Sequence, residues 1–272
     1  MFSYVDQKIR RQMESSGKLI YLDIEGNKVD FNSETETVIS LLGPIPMPRM
    51  VKGHEIVFNW YAFVKRVELN QVLETASKVK SGEQEMFRQL IQERMSVNSI
   101  LSTQNFAELD NPLVRIHSCC MTGDVFGSMR CECGPQLELA FERIGADGGA
   151  VVYMSGHEGR GIGLFAKAMT YILQDQGQDT YEANLSLGLP EDSRDFRDAA
   201  IVLKYLTANK PVRLMSNNPI KKKQIEQYGQ KVLKMETHIK GISCHNERYV
   251  KTKGSKGHLI PEYAFKKESS KG

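Results

Sequence analysis

At 272 residues the chain can bury a full core as one large domain or two smaller ones, and a composition of 40% hydrophobic and 25% charged residues excludes wholesale disorder. A net charge of +3 excludes a nucleic-acid binder working by bulk electrostatics and leaves small anionic ligands open. No apolar run reaches transmembrane length, no leader pattern opens the chain, and five cysteines, three of them crowded, suit a reducing compartment; a soluble cytoplasmic protein without nucleic-acid or membrane partners is expected.

In chain order, KLIYLDI and KVDF flank a Glu25-Gly26-Asn27 turn and predict a hairpin, with Gly43 to Pro48 punctuating the end of this first segment. EIVFNWYAFV, Glu55 to Val64, reads as a strand. Leu69 to Met95 reads as helix with a break near Ser81-Gly82, and Met86, Phe87, Leu90, Ile91 and Met95 share a face that core packing explains. From about Pro112 the pattern becomes strand, loop, helix, repeated. AVVYMS (Ala150 to Ser155) leads through the glycine-rich GHEGRGIG into the helix LFAKAMTYILQDQG, closed by Gly177. VRLMS (Val212 to Ser216) leads through Asn217-Asn218-Pro219, an N-cap with a first-turn proline, into KKKQIEQYG, closed by Gly229. Two such units predict an α/β fold with ligands at the carboxyl ends of strands, where both loops fall.

Chemistry concentrates in HSCCMTGDVFGSMRCECGPQ, where ten residues separate Cys120 from Cys131 and one separates Cys131 from Cys133. Three thiols are too few for a closed structural zinc site and enough for an open catalytic one, whose fourth corner holds a water with a pKa lowered to about 7. If Cys131 and Cys133 lie on a strand, its period of two puts both thiols on one face, and Gly127 helps turn Cys120 back toward them. Buried apolar thiols are the alternative. Cys119 would point away from Cys120, and Cys244 reads as an idle or buried thiol.

Three cationic segments accompany the cysteines. Gly156, Gly159, Gly161 and Gly163 surround Glu158 and Arg160 just before a helix, as a tight turn or as an anion cradle; Arg160, whose fork suits phosphate oxygens, tips the balance to the cradle. SNNPIKK carries Lys221 one turn into a helix, while two of its three lysines read as a solvated face. Arg115 would place a fixed charge near the metal, or form a surface ion pair. Cations from three segments would suit a polyphosphate. In LPEDSRDFRDA, Asp192 and Arg194 read as a base and a phosphate contact, or as part of an exposed cluster of caps. Tyr171 can aim a phenol into the same cleft or merely pack.

Taken together, VRIHSCCMTGDVFGSMRCECGPQLE, EGRGIGL, LQDQGQDTYEAN, DSRDF, SNNPIKK and NERYVKTKGSKGHL resemble the GTP cyclohydrolase II family, which opens riboflavin biosynthesis, in order from about Arg115 to Leu259. The resemblance implies a mixed sheet with flanking helices and an N-terminal α+β extension, divided as an extension over 1–50, a loosely matching opening strand plus helical insertion over 51–111, the catalytic core over 112–260 and a basic tail over 261–272. It implies one zinc per subunit on Cys120, Cys131 and Cys133, magnesium with the triphosphate, and a homodimer. It assigns GTP contacts to Arg115, Ile116, His117, Ser118, Cys119, Gln136, Glu158, Gly159, Arg160, Thr180, Ser216 and Lys221. Asp192 would be the proton acceptor and Arg194 the nucleophile toward the α-phosphorus, with Tyr171 assisting. The reaction would open the imidazole ring at C8 and release formate and pyrophosphate. An arginine keeps its proton in proteins, so physical chemistry favours Arg194 as a stabiliser of charge that Asp192 orients.

Three positions depart from the family pattern: His157 stands in place of Gln, Ser216 in place of Thr, and Cys119 at a commonly acidic position. Ser216 keeps the hydroxyl chemistry, whereas His157 and Cys119, beside the implied substrate contacts, leave room for an enzyme acting on another purine or pyrimidine derivative, or for one stopping at the formylated intermediate. A zinc-stabilised nucleotide-binding module without turnover is the alternative from another class.

Overall fold

The computed structural model describes residues 7–30, 38–65 and 96–265. The helix expected over Leu69 to Met95 and the tail beyond 265 lie outside the described residues. Among the described residues, nine strands form one sheet: β1 (Leu19–Leu22), β2 (Lys28–Val29), β3 (Ile39–Val51), β4 (His54–Lys65), β5 (Asn98–Ser102), β6 (Leu113–Ser118), β7 (Gly149–Met154), β8 (Val212–Met215) and β9 (Val232–Glu236), in the order β2-β1-β3-β4-β5-β7-β6-β8-β9. Pairing is antiparallel from β2 to β7 and parallel from β7 through β6 and β8 to β9. This is the expected α/β class with a mixed sheet. No helix among the described residues is long and apolar enough to cross a membrane.

The hairpin expected around Gly26 forms as β1 and β2, and the strand expected from Glu55 forms as β4. Gly43 to Pro48 differs from its reading as a boundary, because it runs through the middle of β3. The reason lies at the sheet edge. β1 covers β3 only as far as Leu42, while β4 pairs with it to Val51. Pro44, Pro46 and Pro48 stand at every second position, so their missing N–H groups fall on the side that β1 has already left, where no ladder bond is lost.

Helices cover both faces. The eight are α1 (Gln7–Ser15), α2 (Met121–Asp124), α3 (Cys133–Asp147), α4 (Leu164–Asp175), α5 (Glu182–Ser186), α6 (Arg197–Leu206), α7 (Pro219–Gln227) and α8 (Glu247–Ser255), counted among the described residues. The two-residue period of the strands decides the packing. Val114, Ile116, Ala150 and Val152 face α6, whose Ala199 to Leu203 are buried; Leu113 and Val151 face α3 through Ala140, Phe141 and Ile144. Each large apolar side chain so buried stabilises the fold by roughly 1.5–3 kcal/mol. Arg115 and His117 share the α3 face with Leu113, which carries two polar side chains from the sheet interior to the edge where the loops meet.

Candidate metal centre and anion cleft

β6 runs into Ser118 to Cys120, β7 into a 3₁₀ turn at Ser155–Arg160, and β8 into Ser216 to Asn218, so three loops meet at the carboxyl ends of parallel strands. Cys120 caps α2, Cys133 is the first residue of α3, and Cys131 sits in the turn before it. The C-x-C pair therefore does not meet the condition, a shared strand, under which a period of two would align its thiols. Pro135 is accommodated in the first turn of a helix, where its missing N–H costs nothing, and that favours helix over strand here.

The three Sγ atoms lie within 4.8 Å of one another, with Cys120 and Cys131 at 3.5 Å. Two glycines permit this approach. A Cβ on Gly134 would stand 2.4 Å from the Gly123 carbonyl oxygen, and one on Gly123 would stand 2.8 Å from Cys131 Sγ and 3.2 Å from Cys120 Sγ. The space beside the sulfurs is thus kept clear of carbon, as a donor set for an ion requires and a packed apolar cluster does not. Hydrogen bonds from Cys131 and Cys133, with the Lys167 ammonium, hold the Cys120 thiol far below its ordinary value; Cys120 in turn pushes Cys131 up to about 12 and Cys133 well above its usual range. Three sulfurs this close carry charge together only around a cation.

Buried cations line the cleft next to the sulfurs. Arg115 donates through Nη1 to the Met215 carbonyl at 3.0 Å and through Nη2 to Gln136 Oε1 at 2.9 Å, and burial lowers its pKa to about 10. Lys221 Nζ donates to the Ile116 carbonyl at 2.7 Å; burial, then the charges of Arg115 and Arg194, hold it well below its ordinary value. Lys222 is half-buried and Lys223 exposed, so only the first lysine of the run reaches the cleft. Arg160 donates through Nη1 to the Thr180 carbonyl and Oγ1, both at 3.1 Å, and lies over the Tyr181 ring at 3.8 Å, while its buried Nη2 has no hydrogen-bond partner among the described residues.

Arg194 grips Asp192 with two prongs, Nε to Oδ1 at 2.9 Å and Nη2 to Oδ2 at 2.5 Å, and donates through Nη1 to Ser118 Oγ at 3.3 Å. Burial works against the charge on Arg194, yet the bonds and charge of Asp192 hold its pKa above the ordinary value. Burial likewise works to raise Asp192, and Arg194 holds it below the usual carboxylate range.

The remaining expected residues fall in several places. His117 Nε2 lies 3.1 Å from both Asp124 oxygens, and Asp124 Oδ2 also accepts the Cys120 N–H and the Tyr153 hydroxyl, each at 3.0 Å. Tyr171 and Thr122 bond through their hydroxyls at 3.0 Å, and Ser216 Oγ accepts the Asn218 N–H at 3.1 Å. Gly159 lines the cleft. The Ile116 side chain points into the core, and only its carbonyl serves the cleft, through Lys221. The oxygens of Glu158 are engaged by the protein itself: Oε1 by Lys167 at 2.5 Å, Oε2 by the Met121 N–H at 2.6 Å and Cys119 Sγ at 3.6 Å. His157, one of the three departures, bridges Ser118 Oγ at 3.3 Å and the Asp195 carbonyl at 3.1 Å.

Sequence reasoning missed Asp124, Glu132, Lys167, His238, Tyr249 and Lys253. Lys253 Nζ reaches Glu132 Oε1 at 2.5 Å, between the two cysteines of the C-x-C pair, and His238 Nε2 bonds the Gln136 carbonyl at 2.8 Å. A signal for Lys167 existed: with Thr170, Tyr171 and Gln174 it forms a polar stripe at helical spacing that lines the cleft, whereas Phe165, Met169 and Ile172 on the same helix are exposed.

The family model for GTP cyclohydrolase II matches residues 70–237, starting inside the stretch read above as an insertion. The chain belongs to the GTP cyclohydrolase II family of riboflavin biosynthesis. It is 51% identical over 150 residues to the riboflavin biosynthesis protein RibBA of Salinispora tropica, 48% over 145 residues to that of Nocardia farcinica and 49% over 152 residues to that of Mycobacteroides abscessus. These matches cover 54%, 53% and 55% of this chain but only 37%, 35% and 36% of those relatives.

Proposed function

We propose that the chain hydrolyses GTP, opening the imidazole ring at C8 with release of formate and pyrophosphate to give 2,5-diamino-6-(5-phosphoribosylamino)pyrimidin-4-one, the first step of riboflavin biosynthesis. The observation that carries this reading is the juxtaposition of the cysteine trio with Arg115, Arg194 and Lys221 along one cleft. Mutually repelling buried cations destabilise the free protein, and a polyanion entering the cleft relieves that repulsion. A triphosphate, with magnesium as part of the substrate, has the required charge.

Cys120, Cys131 and Cys133 would hold one zinc ion, which when bound supplies Lewis-acid polarisation and a water of lowered pKa. The chain's own residues do the rest. Arg115, fixed by the Met215 carbonyl and Gln136, anchors the floor of the cleft beside the trio. Lys221 and Arg160 attract phosphate oxygens, the latter with a buried Nη2 that lacks a hydrogen-bond partner among the described residues. Arg194, oriented by the two-pronged contact with Asp192, offers a permanent positive charge to the transferring phosphorus. Tyr171 keeps its hydroxyl on the wall through Thr122. A thiol-dependent enzyme consuming GTP suits the reducing cytoplasm.

The reading includes a homodimer. Contacts of Thr122 with Tyr171 and of Arg130 with Asp175 join the α2 segment to α4 side by side, and these two segments expose Val125, Phe126 and Met129 together with Phe165, Met169 and Ile172, an apolar face a second copy can cover. Incubation with GTP and, separately, with UTP tests the activity. Formate and pyrophosphate in equal amounts from GTP, and neither from UTP, are expected; pyrophosphate without formate contradicts ring opening.

A further inference from the structure

We propose that Lys167 is a positioning residue of the metal centre, donating a charge-assisted hydrogen bond to the Cys120 sulfur, and that Glu158 is the carboxylate that aims it. This assignment rests on reading the cysteine trio as a metal site. Lys167 is 7% exposed, and its Nζ lies 3.1 Å from Cys120 Sγ and 2.5 Å from Glu158 Oε1. A buried ammonium persists only where anions surround it, and those two groups are the anions in reach. Glu158 does more than balance charge. Its second oxygen takes the Met121 N–H at 2.6 Å and Cys119 Sγ at 3.6 Å, so one carboxylate ties down the residues on both sides of Cys120 while steering the ammonium onto the sulfur between them.

The helix explains why this lysine can reach the trio. Gly163 enters α4 with a positive φ of 85°, and three residues into the helix the side chain of Lys167 points back over the entry turn, beside Glu158. The polar stripe of α4 is therefore turned toward the sulfurs and its apolar stripe away from them, the reverse of a helix packed for stability alone. Partners one bond removed from a metal fix the orientation of the ligand and tune its donor strength. A sulfur that accepts a hydrogen bond is a weaker electron donor to its metal, and loss of that bond moves the sulfur-to-metal charge-transfer absorption to lower energy.

The test loads the full chain with one equivalent of cobalt(II) and records that absorption in wild type, Lys167→Met, Lys167→Gln and Lys167→Arg. The expected result is a band displaced to lower energy in Lys167→Met, displaced less in Lys167→Gln, which keeps an uncharged donor, and close to wild type in Lys167→Arg. If Lys167→Met does not fold, the glutamine variant and the double variant K167M/E158Q, which removes both buried charges together, supply the same comparison. A band at the wild-type energy in folded variants lacking the ammonium overturns the assignment. Wild-type protein showing no sulfur-to-cobalt band overturns the metal reading itself, and the assignment with it.

Discussion

In the antiparallel half of the sheet, β3, β4 and β5 bury Ile39, Leu41, Phe58, Phe63 and Ile100, whereas the carboxyl edge of β6, β7 and β8 buries His117 at the end of β6 and His157, Glu158 and Arg160 in the turn after β7, with Lys167 and Lys221 from the adjoining helices. The first set gains free energy from leaving water. The second set loses it, and each member is held by a partner chosen for geometry: Asp124 for His117, Lys167 for Glu158, a backbone carbonyl for Lys221. Substitutions in the two regions should therefore separate cleanly into effects on folding and effects on chemistry.

The largest effect is expected at the sulfurs. Cys131→Ser should lose the bound ion and formate production together while keeping the fold; formate at the parental rate would show that the trio is not the metal site. Next, Arg194→Ala should lower kcat by about 10²–10³-fold, as loss of one preorganised charge donor does, with little change in thermal stability. A matched change in KM alone would reduce Arg194 to a binding residue. In the antiparallel half, Phe63→Ala should cost about 3–5 kcal/mol of stability in denaturant unfolding and leave the KM for GTP unaltered in the folded fraction.

Smaller effects sharpen the same division. Lys221→Ala should raise the KM for GTP by roughly tenfold, the weight of one charged hydrogen bond, and an unchanged KM would remove Lys221 from the cleft's function. Acid should act through the histidines at the edge. Burial lowers His157 to about 4, His258 to about 3 and His238 to about 2, against an ordinary value of 6.5. Between those values and 6.5 the unfolded chain binds protons that the folded chain does not, so stability should fall as pH drops below about 6.5 and level off only in strong acid. Unfolding midpoints measured from pH 7 to 4 check the sign; a midpoint that rises on acidification contradicts it.

Much of this was legible in the sequence because local chemistry and tertiary structure agree there. The Asn218 cap with Pro219, the apolar strands that end at Met154 and Met215 and the glycine-marked hairpin each mean what they say. Two signals misled because their meaning depends on neighbours. Prolines at 44, 46 and 48 announce a break unless the strand is locally unpaired on one side, and C-x-C suggests a strand face unless, as here, its second cysteine begins a helix with Pro135 in the first turn. The pairing of Glu132 with Lys253 was hidden because the two lie far apart along the chain, whereas the polar stripe of α4 marked Lys167 without revealing that Glu158 and Cys120 are its partners.

Cys120, Cys131 and Cys133 are expected to supply three of the four donors to one zinc ion and to leave the last position to solvent or substrate. X-ray absorption on the zinc-loaded protein tests it most directly. Three sulfur donors at about 2.3 Å with one lighter donor at about 2.0 Å are predicted; a shell of four sulfurs, or fully active protein with no zinc at all, would contradict the account.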